Sequence, residues 1–328
     1  MKHLAYEKKD TFLGILLTIT LLIGLSLGRY NLSFKEVLQV LTGTSKETLH
    51  YTVVYGMRLP RIILVVLCGS GLALAGHVYQ VVFRNPLVSP DILGVGAGCS
   101  FGAAFAMVFL GGGLVAIGGM SFLCGVGVVT LTMYLSKHMK NKTLGLVLWG
   151  IVTSSIASSG LMLIKYSADP YKQLPTIEFW LMGGFYQAKW EHVGVIATVF
   201  FVAVFVLYAL RWKLKVMMLG DEAANALGVD IKFVRYVALA FATFLVASII
   251  SLVGLVSWIG LIAPHLAKLY TKREDLSCMG IGMIFGSLIL LIADTCARSL
   301  FPAELPISIL TSFMGAVVLS IILIQSNK

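Results

Sequence analysis

Few side chains in this sequence could take part in chemistry, and those few stand apart from one another. His77 is a lone histidine in an apolar segment, where packing is the usual role of such a residue. Asp91 and Asp294 lie at the ends of apolar segments, where we expect carboxylates to cap helices. No Walker A motif or HExxH motif occurs, and we expect no nucleophile elbow. The sequence therefore predicts neither an enzyme nor ATP hydrolysis by this chain alone.

The five cysteines do not indicate a metal site or a disulfide framework. All of them lie in or beside apolar runs, and no two have C-x-x-C spacing. Cysteines in such a setting behave as small buried hydrophobic residues. We therefore expect no metal and no cofactor.

Composition places the chain in a membrane. Of its 328 residues, 58% are hydrophobic and 12% are charged, and the mean hydropathy is +0.93. Soluble domains carry about 25% charged residues. The net charge of +10 could suggest nucleic acid in a soluble protein, but the positive-inside rule explains it more simply here. We expect membrane lipid around the chain and no nucleic-acid partner.

Charge-free stretches predict an all-α integral membrane protein with about ten membrane helices, in one domain that covers residues 1–328. A spanning helix needs about 20 residues without charge. Residues 11–28 count as the first helix, since no A-x-A-like site follows that would mark a signal peptide. Six stretches supply one helix each, and two longer ones divide at glycine or proline; the stretches are 11–28, 62–83, 143–164, 192–210, 276–293 and 305–327, then 92–136 (divided at Gly111–Gly113) and 236–267 (divided near Gly254 and Pro264).

An even number of helices puts both termini on one side of the membrane. If that side is the cytoplasm, inner segments hold 16 of the 25 lysines and arginines and outer segments hold 9. This bias predicts cytoplasmic termini in a cell membrane. The outer loops 29–57 and 165–190 are long, and each is predicted to contain a short helix at the membrane surface.

A polar segment, Met217–Ile231, separates two apolar stretches on the predicted cytoplasmic side. Asp221 and Glu222 stand where a short helix would begin, and we expect them to cap it and to meet basic residues of a partner. Ala223, Ala224 and Leu227 are predicted to share one face. Gly228 suits the end of the helix. A helix of about two turns cannot span a membrane. The segment is predicted to be a plug for another protein, through Leu219, Gly220, Asp221, Glu222, Ala223, Ala224, Leu227 and Gly228.

Ordered motifs along nearly the whole chain resemble those of one family, the ABC importer permeases for ferric siderophores, cobalamin and haem. In chain order they are R-L-P-R at 58–61, G-H-V-Y-Q-V-V-F-R-N-P-L-V-S-P-D-I-L-G at 76–94, F-W-L-M-G-G-F at 179–185, L-G-D-E-A-A-N-A-L-G at 219–228, G-L-I-A-P-H at 260–265, and D-T-C-A-R with E-L-P at 294–306. One departure is Val317, where the family usually has proline.

The resemblance implies a type II importer permease without a nucleotide site of its own. Its partners would be a second permease subunit, as a homodimer or a heterodimer, a cytoplasmic ATPase dimer and an extracytoplasmic binding protein. Residues 217–230 would be the coupling helix, and Arg58, Arg61 and Arg298 would dock the binding protein. The alternatives are contact of these arginines with lipid headgroups and, for Arg61, structural packing at the helix start. The other motif residues would be structural or line the pathway; they are Gln80, Asn85, Pro86, Pro90, Gly260, Pro264, His265, Glu304 and Pro306.

The substrate implied first is a ferric siderophore, the commonest in the family, with cobalamin and haem left open. Two other classes also remain. A secondary transporter would need ionisable groups within the membrane, and no charged residue lies inside any spanning stretch. A structural membrane component would leave the polar segment 217–231 unexplained.

Overall fold

The structure is a computed structural model that describes residues 2–28, 30–45, 47–272, 278–300 and 303–326. These residues form helices and connecting turns, with no β-strand among them. The helices are α1 (Lys2–Ser26), α2 (Phe34–Leu41), α3 (Thr48–Tyr51), α4 (Leu59–Phe83), α5 (Val95–Phe109), α6 (Leu114–Ser136), α7 (Lys142–Ser167), α8 (Gln173–Leu181), α9 (Trp190–Ala209), α10 (Arg211–Met217), α11 (Asp221–Ala226), α12 (Ile231–Val253), α13 (Ile259–Thr271), α14 (Met279–Ser299) and α15 (Ile307–Ser326). A π-helical segment, Thr52–Arg58, joins α3 to α4, and a 3₁₀ turn, Pro90–Leu93, precedes α5.

Every predicted membrane stretch contains a helix, which confirms the all-α prediction. Six helical segments are long and apolar enough to cross a membrane, and three shorter apolar ones are Thr11–Ser26, Val95–Phe109 and Ile307–Ile322. The predicted divisions also hold. Gly111 and Gly112, with φ of 75° and 69°, separate α5 from α6, and Gly254, with φ of 73°, ends α12. A positive φ favours glycine because other residues carry a Cβ.

Helix α4 is the axis of the bundle. In the most apolar window of the helix that contains it, 83% of residues are buried, against 22% for α6 and for α7. Glycines let its backbone touch its neighbours: a Cβ on Gly76 would lie 1.7 Å from the carbonyl oxygen of Gly260, and one on Gly69 would lie 2.5 Å from that of Gly286. Small residues permit such close crossings in membrane proteins. Helices α13 and α14 are therefore fixed against α4.

The short helices of the long loops are confirmed. Helix α2 occupies the first loop, and its N-terminus carries a capping box in which Ser33 and Glu36 exchange hydrogen bonds with each other's backbone N–H. Helix α8 occupies the second loop. Its last turn leads into Gly183, whose φ is 66°. The N–H of Ile307 donates to the carbonyl of Gly183 at 3.1 Å, so this loop packs against the start of α15.

The two ends of α4 meet different sets of segments. Its C-terminal end lies beside α10, α11 and the turn between α6 and α7, and we name this side the α11 end. Its N-terminal end lies beside the C-terminal ends of α1 and α14, and we name this side the Arg61 end. Most motif residues lie at or near these two ends.

Candidate functional site

The polar segment forms a short helix between two glycine turns, as predicted. Gly220 has a φ of 115° and Gly228 a φ of 75°. Helix α11 occupies the six residues between Gly220 and Leu227, slightly fewer than the two turns expected. Its first turn contains Asp221 and Glu222, the position that suits acidic side chains.

The prediction that Ala224 faces a partner protein is wrong. Ala224 is fully buried in the core of the protein itself. Leu219 and Leu227 are 69% and 55% exposed, and Ala223 is exposed beside them. Consecutive helical residues point about 100° apart, so Ala223 and Ala224 cannot share a face. The uncovered apolar surface of this segment, which we name the α11 face, is Leu219, Ala223 and Leu227.

Asp221 was predicted to cap α11 and to meet basic residues of a partner; instead it is an internal ion-pair acceptor. The N-cap residue of α11 is Gly220, which has no side chain that could cap the helix. One carboxylate oxygen of Asp221 accepts a hydrogen bond from Arg84 Nη2, and the other lies 3.3 Å from Arg235 Nη2. Burial by itself would raise the pKa of Asp221, but the hydrogen bond from Arg84 and the charges of Arg235 and Arg84 hold that pKa below its usual value.

Arg84 ends α4 in a left-handed conformation, with a φ of 50°. Its Nε donates to the carbonyl of Met217 at 2.9 Å. The backbone N–H of Asn85 bonds back to the carbonyl of Gln80 at 3.1 Å. The side chain of Asn85 accepts from the N–H of Leu87 at 2.9 Å, so Asn85 and the following Pro86 turn the chain away. Arg84 lies within the motif at 76–94 but was not among the predicted site residues. The signal available in the sequence was a basic residue directly after a helix.

Gln80 and Gly260 join α4 to α13. Gln80 is buried; its Nε2 donates to the carbonyl of Leu261 at 3.2 Å, and its Oε1 accepts from Lys268 Nζ at 2.8 Å. A Cβ on Gly260 would lie 3.0 Å from Pro90 Cδ. These contacts position α13 against α4 and against the 3₁₀ turn before α5.

Pro264 lies inside α13, and the half-buried His265 lines a cavity of about 430 Å³ together with Gln80 and Lys268. Asp91 accepts a hydrogen bond from the backbone N–H of Gly96, the capping role that we expected.

At the Arg61 end, two arginines hold the C-terminal end of α1. Arg58 donates to the carbonyls of Leu25, Ser26 and Tyr30, the second at 2.9 Å. Arg298 donates to the carbonyls of Gly24 and Leu27, the latter at 2.7 Å. The last carbonyls of a helix lack partners and carry partial negative charge. The two guanidinium groups supply hydrogen-bond donors and positive charge to those carbonyls.

Arg61 lies between two carboxylates. Its Nη2 is 2.9 Å from Asp294 Oδ1, and its Nη1 is 3.0 Å from Glu304 Oε2. Asp294 is fully buried and also lies 3.5 Å from Arg298 Nε. The capping role expected of Asp294 is therefore wrong, because α14 continues past it to Ser299. Glu304 and Pro306 flank the start of α15; between residues 294 and 306, Phe301 and Pro302 lie outside the described residues.

These contacts occupy the three guanidinium groups that were predicted to dock a binding protein, and for Arg61 they agree with the alternative of structural packing at the helix start. Arg58 and Arg298 are each 6% exposed, and the side chain of Arg61 is 12% exposed. A buried guanidinium must be matched with acceptors, and these three find theirs inside the chain. The sequence placed them at helix ends correctly but could not show that the acceptors were internal.

The fold and the α11 segment define a permease of ABC importers, and comparison with known proteins agrees. The chain belongs to the FecCD transport family, whose model matches residues 16–325. It is 36% identical to the molybdate import system permease protein MolB of Haemophilus influenzae, over 99% of this chain and 97% of that protein.

Other relatives are named for iron or haem transport. The chain is 32% identical to the Fe(3+)-citrate import system permease protein YfmE of Bacillus subtilis, over 96% of this chain and 96% of that protein. It is 30% identical to the hemin transport system permease protein HmuU of Yersinia pestis, over 93% of this chain and 91% of that protein. A solved inward-facing structure of a metal-chelate type ABC transporter superposes with a TM-score of 0.89 at 35% identity, covering 98% of this chain and 100% of that one.

The family assignment confirms the resemblance and the fold class predicted from the sequence. The chain is a multi-pass transport permease, which sets aside the secondary transporter and the structural membrane component. The relatives carry different cargoes by name, so the family alone does not fix the substrate.

Proposed function

We propose that this chain is the membrane subunit through which an ATP-driven importer carries an iron–siderophore complex across the cytoplasmic membrane. The observation that carries the proposal is the α11 face. Leu219 and Leu227 are 69% and 55% exposed. They lie just before and just after α11, whose Asp221 is bound on the other side by Arg84 and Arg235. A short uncovered apolar surface of this kind suits a groove in another protein. We infer that the groove belongs to a cytoplasmic ATPase, since the sequence has no Walker A motif.

The charge distribution supports an orientation with α11 and both termini in the cytoplasm. In the part of the chain that the structure describes, and apart from α1, the segments at the α11 end contain eleven basic and three acidic residues. Basic residues accumulate on the cytoplasmic side of membrane proteins. The basic residues are Arg84, Lys137, Lys140, Lys142, Arg211, Lys213, Lys215, Lys232, Arg235, Lys268 and Lys272; the acidic ones are Asp221, Glu222 and Asp230.

A second permease subunit would cover faces that this chain leaves open. Helix α7 exposes a stripe that includes Leu148, Ile156 and Leu163, at 45%, 65% and 71%, and α15 exposes Phe313 at 70%. The binding protein would dock at the Arg61 end. Because Arg58 and Arg298 are occupied, its first contacts there would involve other side chains.

The α11 face can be tested by burying a charge in it. We expect Leu227→Asp to lower the affinity of the purified permease for its partner ATPase at least about tenfold, since an unpaired charge in an apolar contact is costly. The matched control is Tyr171→Asp, at a residue that is 89% exposed and lies in the loop between α7 and α8. Equal affinity of the Leu227 variant and the control for the ATPase would contradict the proposal.

Molybdate is a second candidate substrate, favoured by the 36% identity to MolB over 99% of this chain. Proteoliposomes that hold the complete importer and its cognate binding protein should distinguish the two. We expect ATP-dependent uptake of radiolabelled ferric siderophore, and little uptake of molybdate, cobalamin or haem from the same panel. Uptake of molybdate alone would overturn the siderophore assignment and leave the importer assignment standing.

A further inference from the structure

Arg84 adopts a left-handed backbone conformation, which is unfavourable for a residue with a side chain. It ends α4 with a φ of 50°, in the left-handed region where glycine has no steric cost and other residues do. Glycine ends many helices in this conformation. Here an arginine occupies the position, and its guanidinium reaches the polar segment: Nε donates to the carbonyl of Met217 at 2.9 Å, and Nη2 donates to Asp221. One side chain thus holds both the residue before the turn and the first residue of α11.

Asp221 connects α11 to a second long helix. Its other oxygen lies 3.3 Å from Nη2 of Arg235, which belongs to the first two turns of α12. Arg235 is only 4% exposed, and its Nε has no hydrogen-bond acceptor within the described part of the chain. The carboxylate of Asp221 is therefore the charge partner of a buried guanidinium, and α11 cannot shift relative to α12 without disturbing that pair.

We propose that Arg84 and Asp221 are positioning residues that transmit the movement of α11 to α4 and α12 during transport. This inference rests on the proposed function, in which an ATPase binds the α11 face and drives import. Helix α4 has 25 residues, about 37 Å at 1.5 Å per residue, and its far end holds Arg61 and the neighbours of Arg61. A displacement that reaches Arg84 is thereby carried along a rigid, buried helix to the opposite end of the bundle.

Arginine suits this link better than lysine. The planar fork binds the Met217 carbonyl with one nitrogen and the Asp221 carboxylate with another, a two-point contact that fixes direction. Lysine keeps the charge and presents a single nitrogen. Arg84→Lys should therefore preserve the attraction to Asp221 and weaken the transmission of movement.

The first test measures how many substrate molecules are imported per ATP hydrolysed. It uses the complete importer in proteoliposomes, with a radiolabelled ferric hydroxamate as the probe. We expect Arg84→Ala to keep complex assembly and basal ATP hydrolysis, and to lower the ratio between about twofold and thirtyfold, the range in which single residues modulate coupling. Arg84→Lys should fall between this variant and the unmodified protein.

The matched control is Lys213→Ala, which removes one exposed basic charge from α10 at the same end of the molecule. We expect an unchanged transport ratio. If Arg84→Ala kept the ratio of the unmodified importer, or lost uptake only as far as it lost assembly, the positioning role would be overturned.

The second test does not depend on the cargo. Spin labels at Asn225 on α11 and at Met57, which is 65% exposed beside the start of α4, report whether the two helices move as one body. In the ATPase-bound importer we expect the distance between the labels to stay the same on addition of ATP. In Arg84→Ala, the distance between the labels should change, or its distribution should become broader, when ATP is added. An identical response in both proteins would overturn the link, whereas failure of ferric hydroxamate uptake in the unmodified importer would count only against the proposed substrate.

Discussion

The two ends of α4 use arginine in opposite ways. At the Arg61 end, the guanidinium groups of Arg58 and Arg298 are 6% exposed and bind carbonyls of α1. At the α11 end, the side chain of Arg84 is 38% exposed and shares the 51% exposed carboxylate of Asp221 with Arg235. The arginines at the Arg61 end are buried with acceptors from the chain itself, whereas the ion pair of Arg84 with Asp221 is exposed to water.

The difference indicates which end is built to move. Charges buried with internal partners are costly to separate, so the Arg61 end holds α1, α4 and α14 together. Exposed ion pairs contribute little stability, so the contacts of Arg84 set the direction of α11 relative to α4 while adding little to the stability of the fold. A segment that a partner protein displaces can therefore move together with α4 without a buried charge being separated from its partner.

The largest effect on stability should follow from Arg61→Ala. The change leaves the fully buried Asp294 with only the more distant Arg298 and removes the partner of Glu304. Loss of one partner of a buried ion pair typically costs about 3–5 kcal/mol. We expect a clear fall in the thermal unfolding midpoint in detergent, with Lys35→Ala, an exposed position on α2, as the control. Equal midpoints would show that the cluster is not a structural clamp.

A smaller effect should follow from Arg58→Ala, which removes the donors to the end of α1. Hydrogen bonds to charged groups contribute about 1.5–3 kcal/mol. We expect faster backbone hydrogen exchange in the last turn of α1, at Ser26 and its neighbours, with α12 unaffected. Uniform loss of protection in both helices would indicate global unfolding and contradict a local role.

The smallest effect should come from pH at the α11 end. The folded pKa of Asp221 is lowered, so the carboxylate contributes stability that is present above its unfolded pKa of about 3.9 and is lost as the pH falls through the lower folded value. We expect hydrogen exchange of α11, corrected for its intrinsic rate, to be unchanged between pH 8 and about pH 5. Loss of protection near neutral pH would place the relevant titration on another group.

Sequence reasoning recovered the helices because their signals are local. Charge-free length, Gly111 and Gly112 between α5 and α6, and Gly254 at the end of α12 each act within a few residues. The helix in the polar segment was predictable for the same reason, since Gly220 and Gly228 bound it on both sides.

The roles of the arginines and of Ala224 depend on contacts between distant parts of the chain. Arg61 meets Asp294 across 233 positions of sequence, and Arg84 meets Asp221 across 137. Spacing cannot show which acceptors lie inside the fold. It could have excluded Ala223 and Ala224 from one face, because neighbouring residues of a helix diverge by about 100°.

We propose that the α11 end faces the ATPase in the cytoplasm and that the loop before α8 faces outward. This orientation can be tested with single cysteines at Asn225 and at Tyr171, in a chain whose five native cysteines are buried or half-buried and provide the blank. An impermeant thiol reagent applied to intact cells should label Tyr171→Cys and leave Asn225→Cys unlabelled until the membrane is opened. Labelling of Asn225→Cys in intact cells, with Tyr171→Cys protected, would contradict the account.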